Sequence, residues 1–272
     1  MRLHYTLRVT LTLLLALGAA ALCVALRTPL PWMIGPLVVT AVASMAGAPT
    51  ESWAPLRNGG QWVIGAALGL YFTPQVMALV ASLWWAILLA IAWALMLGVS
   101  FAAVLYRLHA PRLAGVAPDA MRATAFFAGA VGGASEMTLL AERVGARTDL
   151  VAAAHSLRLM VVVLVIPFGL QASGLTAVDV TSPGPRIVHP SGLLALGVCT
   201  VAGALVMQRL GRANPWFMGS LVVAMGFTMA GITLSAIPLA LSNAAQLVIG
   251  VSLGVRFTSG FLHTAPRWLA SV

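Results

Sequence analysis

Gln61-x-x-Ile64-Gly65-x-x-Leu68-Gly69-x-x-Phe72-Thr73 returns 185 residues later as Gln246-x-x-Ile249-Gly250-x-x-Leu253-Gly254-x-x-Phe257-Thr258. The echo extends upstream. Pro31-Trp32-x-x-Gly35-x-Leu37-Val38-Val39 is matched, at an offset of 184, by Pro215-Trp216-x-x-Gly219-x-Leu221-Val222-Val223, and Gly47 by Gly231. Only one residue separates the two offsets, so the chain contains an internal duplication. Duplication within an apolar chain is a signature of membrane transporters.

The composition sets the class. Of 272 residues, 61% are hydrophobic and 8% charged, and the mean hydropathy is +1.00. A soluble domain carries roughly a quarter charged residues. Several runs approach the ~20 apolar residues that span a bilayer. We expect an all-α polytopic integral membrane protein in a bacterial-type inner membrane, with the lipid bilayer as its main partner. The net charge of +9 would suggest nucleic acid in a soluble protein. Here arginines sit singly in short loops, which suits topology, so direct nucleic-acid binding is not expected. Cys23 and Cys199 both lie in apolar runs and read as packing thiols.

Apolar runs fall at about 7–26, 32–49, 59–75, 77–106, 121–141, 150–172, 190–208, 214–233 and 237–258. The first follows Arg2 and Arg8 and imitates a signal peptide. Its counterpart, Gly192–Gln208, is internal, so the first run is expected to be retained. Thr73-Pro74 separates the third run from the fourth, because proline cannot continue a helical ladder. Residues 173–190 carry Pro183, Gly184, Pro185 and Pro190 and read as a connector between a first repeat, 1–172, and a second, 191–272.

Arginines choose the direction. If run 121–141 enters and leaves on one side, then Arg2, Arg8, Arg57, Arg107, Arg112, Arg122, Arg143, Arg147, Arg209, Arg212 and Arg267 all lie inside, with only Arg27 and Arg186 outside. Both termini are then cytoplasmic. Five crossings precede the second copy, so that copy is inverted relative to the first. The expected architecture is about eight transmembrane helices plus one re-entrant or broken helix.

Run 121–141 has the content for that role. Gly129, Gly132 and Gly133 break it beside Ser135 and Glu136. Irregular backbone at membrane depth is tolerated only where protein or a water cavity covers it. Ser135 can cap the helix that follows, whose N-terminus would favour an anion.

The Pro31-Trp32-x-x-Gly35-Pro36 block, the Gln-x-x-Ile-Gly blocks and Gly132-Gly133-Ala-Ser135-Glu136-Met137, followed by Arg158 and Ile166-Pro167, together resemble the AbrB membrane-protein family. The resemblance covers nearly the whole chain. It implies a fold like that of inverted-repeat cation/proton antiporters and anion transporters, and brings with it two labels, ammonia monooxygenase and regulator of gene expression. There are two departures. Val131 stands where members often carry proline. The second copy is also shortened, since 14 residues follow Thr258 and counterparts of 77–172 are missing. Either a second subunit covers the face of 121–172 or the chain is a shortened, inactive member; a homodimer is the favoured expectation.

Glu136 is an acid within an apolar run and Arg158 a cation in another, and intramembrane charges are functional by default. Arg158 is expected to bind a solute carboxylate, to pair with Glu136 or to snorkel to the interface. His155, three residues before it, shares its face and reads as structural. Gln61 and Gln246 either join helices or line a pathway. Gly65, Gly69, Gly250 and Gly254 let helices approach closely, and Pro31, Trp32, Gly35, Pro215, Trp216 and Gly219 are structural repeat positions. Asn214 and Asn243 read as helix caps. Trp32, Trp84, Trp85, Trp216 and Trp268 read as interface anchors.

The leading expectation is a secondary transporter or permease of a small solute. The alternative is a membrane-embedded regulator of gene expression acting through partners. Enzymatic ammonia oxidation would need clustered metal ligands. His4, His109, His155, His189 and His263 are scattered without ligand spacing, so no metal, cofactor or enzymatic activity is expected.

Overall fold

A computed structural model describes residues 2–110, 117–174, 187–258, 268 and 271. Arg112, Arg186 and Arg267 of the charge argument, residues 175–186 of the connector, and the side chain of Ser135 lie outside the described residues. Among the described residues there are eleven helices and no strand. In chain order they are α1 (Arg2–Ala25), α2 (Pro31–Met45), α3 (Ala54–Gly69), α4 (Pro74–Ser82), α5 (Trp84–His109), α6 (Pro118–Gly129), α7 (Ala134–Arg143), α8 (Thr148–Ala172), α9 (Pro190–Arg209), α10 (Pro215–Met229) and α11 (Leu239–Gly254).

Among the described residues four helices are long and apolar enough to cross a membrane: Tyr5–Ala25, Trp84–His109, Thr148–Ala172 and Pro190–Arg209. A fifth span results if α3 and α4, bent by 78° at their junction, are taken together. The eight expected crossings are not all present at full length. α2, α10 and α11 have 15, 15 and 16 residues, which at 1.5 Å per residue rise about 24 Å at most, short of the ~30 Å hydrocarbon core. The physical reason lies at their ends. The turns after α2 and α10 pass through the left-handed region at Gly47 (φ 85°) and Gly231 (φ 73°), a conformation in which a helix cannot continue.

The expected break at Thr73-Pro74 is present. Pro74 opens α4, and the Thr73 hydroxyl accepts the Val76 amide at 3.3 Å, a proline and cap arrangement suited to a helix start. The fourth apolar run is not one helix, because Leu83 leaves helical geometry between α4 and α5. The 121–141 run is broken where its glycines fall. α6 ends at Gly129 and α7 begins at Ala134, with Ala130 and Gly133 extended (ψ 144° and 135°).

The chain divides into two compact units. The first comprises Met1–Ser44, Ala48–Ser82 and Pro167–Arg256; the second comprises Met45–Gly47, Leu83–Ile166 and Phe257–Val272.

In the first unit the duplication is visible bond by bond. The turn after α1 carries Arg27 and Leu30 at φ 53° and 43°; the turn after α9 carries their counterparts Gly211 and Asn214 at 63° and 45°. Thr28 donates its amide to Cys23 and Arg212 to Met207, both at 3.1 Å. Ala48 donates to Ala43 and Ile232 to Phe227, both at 2.9 Å. Helix contacts repeat as well. A Cβ on Gly35 would lie 2.7 Å from the Ala19 carbonyl oxygen, and one on Gly219 would lie 2.5 Å from that of Gly203.

The copies then exchange partners. Gly65 of α3 lies against Phe217 and Ser220 of α10, while Gly250 of α11 lies against Met33 and Pro36 of α2. Four residues on, Gly69 meets Leu221 and Ala224, and Gly254 meets Leu37 and Thr40. Every pair is the 184/185-residue image of the other. Only glycine permits this approach, since a Cβ at Gly69 or Gly254 would come within 2.7–2.8 Å of the Leu221 or Leu37 carbonyl oxygen. An operation that carries copy one to copy two and copy two back to copy one is a local two-fold rotation.

The second unit packs α5, α6, α7 and the start of α8 around Leu105, Met121, Ala125, Ala128, Ala141, Leu150, Val151 and Ala154. Gly129 abuts the Gly98 carbonyl of α5. Trp268, expected at a membrane interface, is instead 1% exposed in this core. Its indole nitrogen donates to the Leu150 carbonyl at 3.2 Å, and its ring meets His109 edge-on at 4.9 Å. A buried Trp needs such a partner for its N–H.

Candidate functional site

The break between α6 and α7, in the second unit, gathers most of the chemistry. α6 ends with carbonyls that have no further helical turn to accept from. Two side chains of α8 reach them. The His155 Nε2 lies 2.9 Å from the Phe127 carbonyl oxygen, and an Arg158 Nη2 proton reaches the Ala130 carbonyl at 3.2 Å. The same Nη2 donates to His155 Nδ1 at 2.8 Å. A carbonyl only accepts, so Nε2 carries the proton and Nδ1 presents its lone pair to the guanidinium. The result is a closed relay from α6 through His155 and Arg158 back to the break. His155 is 1% exposed and Arg158 half-buried. A cation at a helix C-terminus also complements the negative end of its dipole.

Glu136 is placed differently. It is the third residue of α7, and its carboxylate folds back against Gly133, where a Cβ would collide with Oε2. That position lets an acid balance the positive end of the α7 dipole. Glu136 and Arg158 do not pair; the ion pairs among the described residues are Arg122–Asp119 and Arg147–Asp149. The cap position of α7 is Gly133, without a side-chain cap bond, and Ser135 lies inside the helix. Gly132 lies against the Met137 side chain.

Arg147 holds the approach to α8. Its Nε and Nη2 donate to the two oxygens of Asp149 at 2.9 and 2.6 Å, and its amide donates to Thr124 at 2.9 Å. The hydrogen bond to Asp149 keeps the guanidinium above its ordinary pKa.

Gln61 and Gln246 belong to the first unit. The Gln61 amide nitrogen lies 3.5 Å from the Asn214 side-chain oxygen, joining α3 to the start of α10. Asn214 sits at the N-cap of α10 but makes no side-chain cap bond, and Asn243 lies within α11 rather than at its cap. Gln246 has no hydrogen-bond partner among the described residues. The sequence reading missed a neighbouring link, from the Trp62 indole to the Thr200 hydroxyl at 2.9 Å. It also missed the α6 carbonyls as partners of His155 and Arg158. The i,i+3 spacing of those two residues was the available signal. No group of three or more His, Cys, Asp or Glu side chains suited to a metal occurs among the described residues.

A family model described as "Transition state regulatory protein AbrB" matches residues 32–272. The chain is similar to "Uncharacterized protein YhjN" of Bacillus subtilis (strain 168), with 27% identity over 266 residues, covering 87% of this chain and 65% of that protein. It thus spans about two-thirds of the length of that relative. No solved structure matches.

Proposed function

The chain belongs to the AbrB family, and from that membership we propose that it is a secondary transporter or permease of a small solute, with residues 129–137 and Arg158 as its solute or coupling site. The observation that carries this reading is the broken helix. Four extended or turning residues interrupt an apolar segment, beside an acid that balances one half-helix and a cation that satisfies the other. Broken helices with charged groups at their ends are where transporters bind solutes and coupling ions.

The exchange of partners between the two copies supports an inverted repeat in this reading. A two-fold lying in the membrane plane would place Arg27 and its counterpart Gly211 on opposite faces, as the arginine distribution requires. The N- and C-termini are then cytoplasmic. The test is uptake into vesicles reconstituted with the purified protein and screened against small solutes. Glu136→Gln and Arg158→Ala should abolish uptake while inserting normally. Normal uptake by either variant would move the site elsewhere.

The description of the family as a transition state regulatory protein favours a second reading, a membrane-embedded regulator acting through partners. Transcript profiling of a deletion strain, run beside the uptake screen, separates the two. Altered transcripts without any transported solute would favour regulation.

A further inference from the structure

The relay at the break identifies what kind of solute the site is built for. Arg158 has five N–H donors, of which the two on Nη2 go to Ala130 and His155. The three on Nε and Nη1 have no partner among the described residues. Among the described residues no carboxylate forms an ion pair with this guanidinium. Asp149, the acid nearest in sequence, is paired with Arg147, and Glu136, the acid of the broken helix, lies against Gly133 at the start of α7. It therefore occupies the amide end of α7, where the sequence suggested that an anion would bind, and leaves Arg158 as the receptor. A permanent cation in an apolar segment is costly until a negative charge meets it. A guanidinium donates charge-assisted hydrogen bonds to carboxylate oxygens, and the donors on Nε and Nη1 are available for one.

His155 decides where that guanidinium points. Its Nε2 proton is held by Phe127, so its Nδ1 lone pair is fixed in direction and captures Nη2 at 2.8 Å. Without it, a long side chain with many rotamers would be held by the Ala130 carbonyl alone.

We propose that Arg158 binds the carboxylate of a small solute and that His155 is the positioning residue that aims it; the proposal rests on the transport reading above. His155 touches no solute itself. Its contribution is to order Arg158 before the solute arrives, which lowers the cost of binding.

The experiment uses succinate as probe and its neutral diamide, succinamide, as control, on the purified full chain. Modification of Arg158 by phenylglyoxal is followed by mass spectrometry, and the melting temperature is recorded with each probe. Succinate should protect Arg158 and raise the melting temperature, and succinamide should do neither. His155→Phe keeps a ring of similar size but offers no acceptor. It should weaken succinate protection roughly tenfold, the effect of losing a hydrogen bond to a charged group. His155→Gln, which restores one donor and one acceptor, should return to within about threefold of the parent. A purely structural histidine would lower the melting temperature in both variants without separating them in succinate affinity, and that result would overturn the proposal. So would failure of succinate to protect Arg158 in the parent protein. Should His155→Phe not fold, Arg158→Lys takes its place. It keeps the charge but loses the Nη2 bonds to Ala130 and His155 that aim the donors, and must lose succinate-dependent stabilisation for the proposal to stand. Uptake of labelled succinate is measured in parallel. Protection, with no uptake of succinate or of any solute in the screen above, supports the carboxylate site and removes the transport reading. Uptake with no protection, unchanged in His155→Phe, removes the carboxylate site and leaves transport standing.

Discussion

Gly60 lies against Ala245, its own counterpart in the second copy; a Cβ on Gly60 would sit 3.1 Å from the Ala245 carbonyl oxygen. A contact between a position and its own image can occur only on the axis relating the copies. The local two-fold of the first unit therefore passes between α3 and α11 at this point. Symmetric contacts around such an axis should respond symmetrically to mutation, which makes the duplication testable.

Gly65→Ala and Gly250→Ala should destabilise the protein by similar amounts, about 1–3 kcal/mol each, because each new methyl meets backbone of the partner helix. Gly18→Ala and Gly226→Ala meet nothing within 4 Å. They should be neutral or stabilising by up to about 1 kcal/mol. Thermal unfolding in one detergent ranks the four; a large difference between the first two would refute equivalent packing.

The Thr40 hydroxyl is buried without a hydrogen-bond partner. Its counterpart is Ala224, which fills the same place against the other glycine helix. Thr40→Ala should therefore be neutral or stabilising, whereas Ala224→Thr should cost about 1–3 kcal/mol by burying a second orphan hydroxyl. Melting temperatures of the two single variants decide it, and a clear loss in Thr40→Ala would mean that the hydroxyl has a role.

Leu30 adopts φ 43° immediately before α2, a left-handed conformation costly for a branched side chain. The second copy uses Asn214 at the equivalent position. Leu30→Asn should raise stability by about 1 kcal/mol, since asparagine tolerates this conformation and favours helix N-caps. An unchanged or lowered melting temperature would mean that Leu30 makes compensating contacts.

Thr28 and Arg212 have equivalent backbone environments, so they are a matched pair for topology. In a background with Cys23 and Cys199 replaced, Thr28→Cys should react with a membrane-impermeant maleimide from outside and Arg212→Cys only after permeabilisation. Reaction of both from one side would exclude the inverted arrangement and favour a parallel one.

The break at 130–133 was legible because glycine clusters interrupt helices wherever they fall, and Thr73-Pro74 because proline removes a donor. The glycine pairs of the repeated block announced close packing but not its partner. Nothing in the spacing of Gly65 and Gly69 tells whether α2 or α10 lies against them. Shortened helices were not legible either. The apolar runs at 32–49 and 214–233 continue past the points where α2 and α10 stop, because Gly47 and Gly231 turn left-handed there, and a glycine in an apolar run does not by itself announce a helix end. Trp268 read as an anchor because an amphipathic ring suits either an interface or a core with one hydrogen-bond acceptor. Only the Leu150 carbonyl beside its indole settles which.

The sequence by itself determined the apolar helical class, the duplication and the place of the broken helix, since these depend on composition, repetition and residues that forbid helical geometry. The tertiary structure alone decided that the copies exchange partners, that Glu136 turns to its own helix start, and that Arg158 is held by His155 and the Ala130 carbonyl. Those are choices among groups of similar chemistry. Hydrogen bonds and close packing act over a few ångströms, so the outcome rests on which groups the fold brings together, a relation that spacing along the chain does not encode.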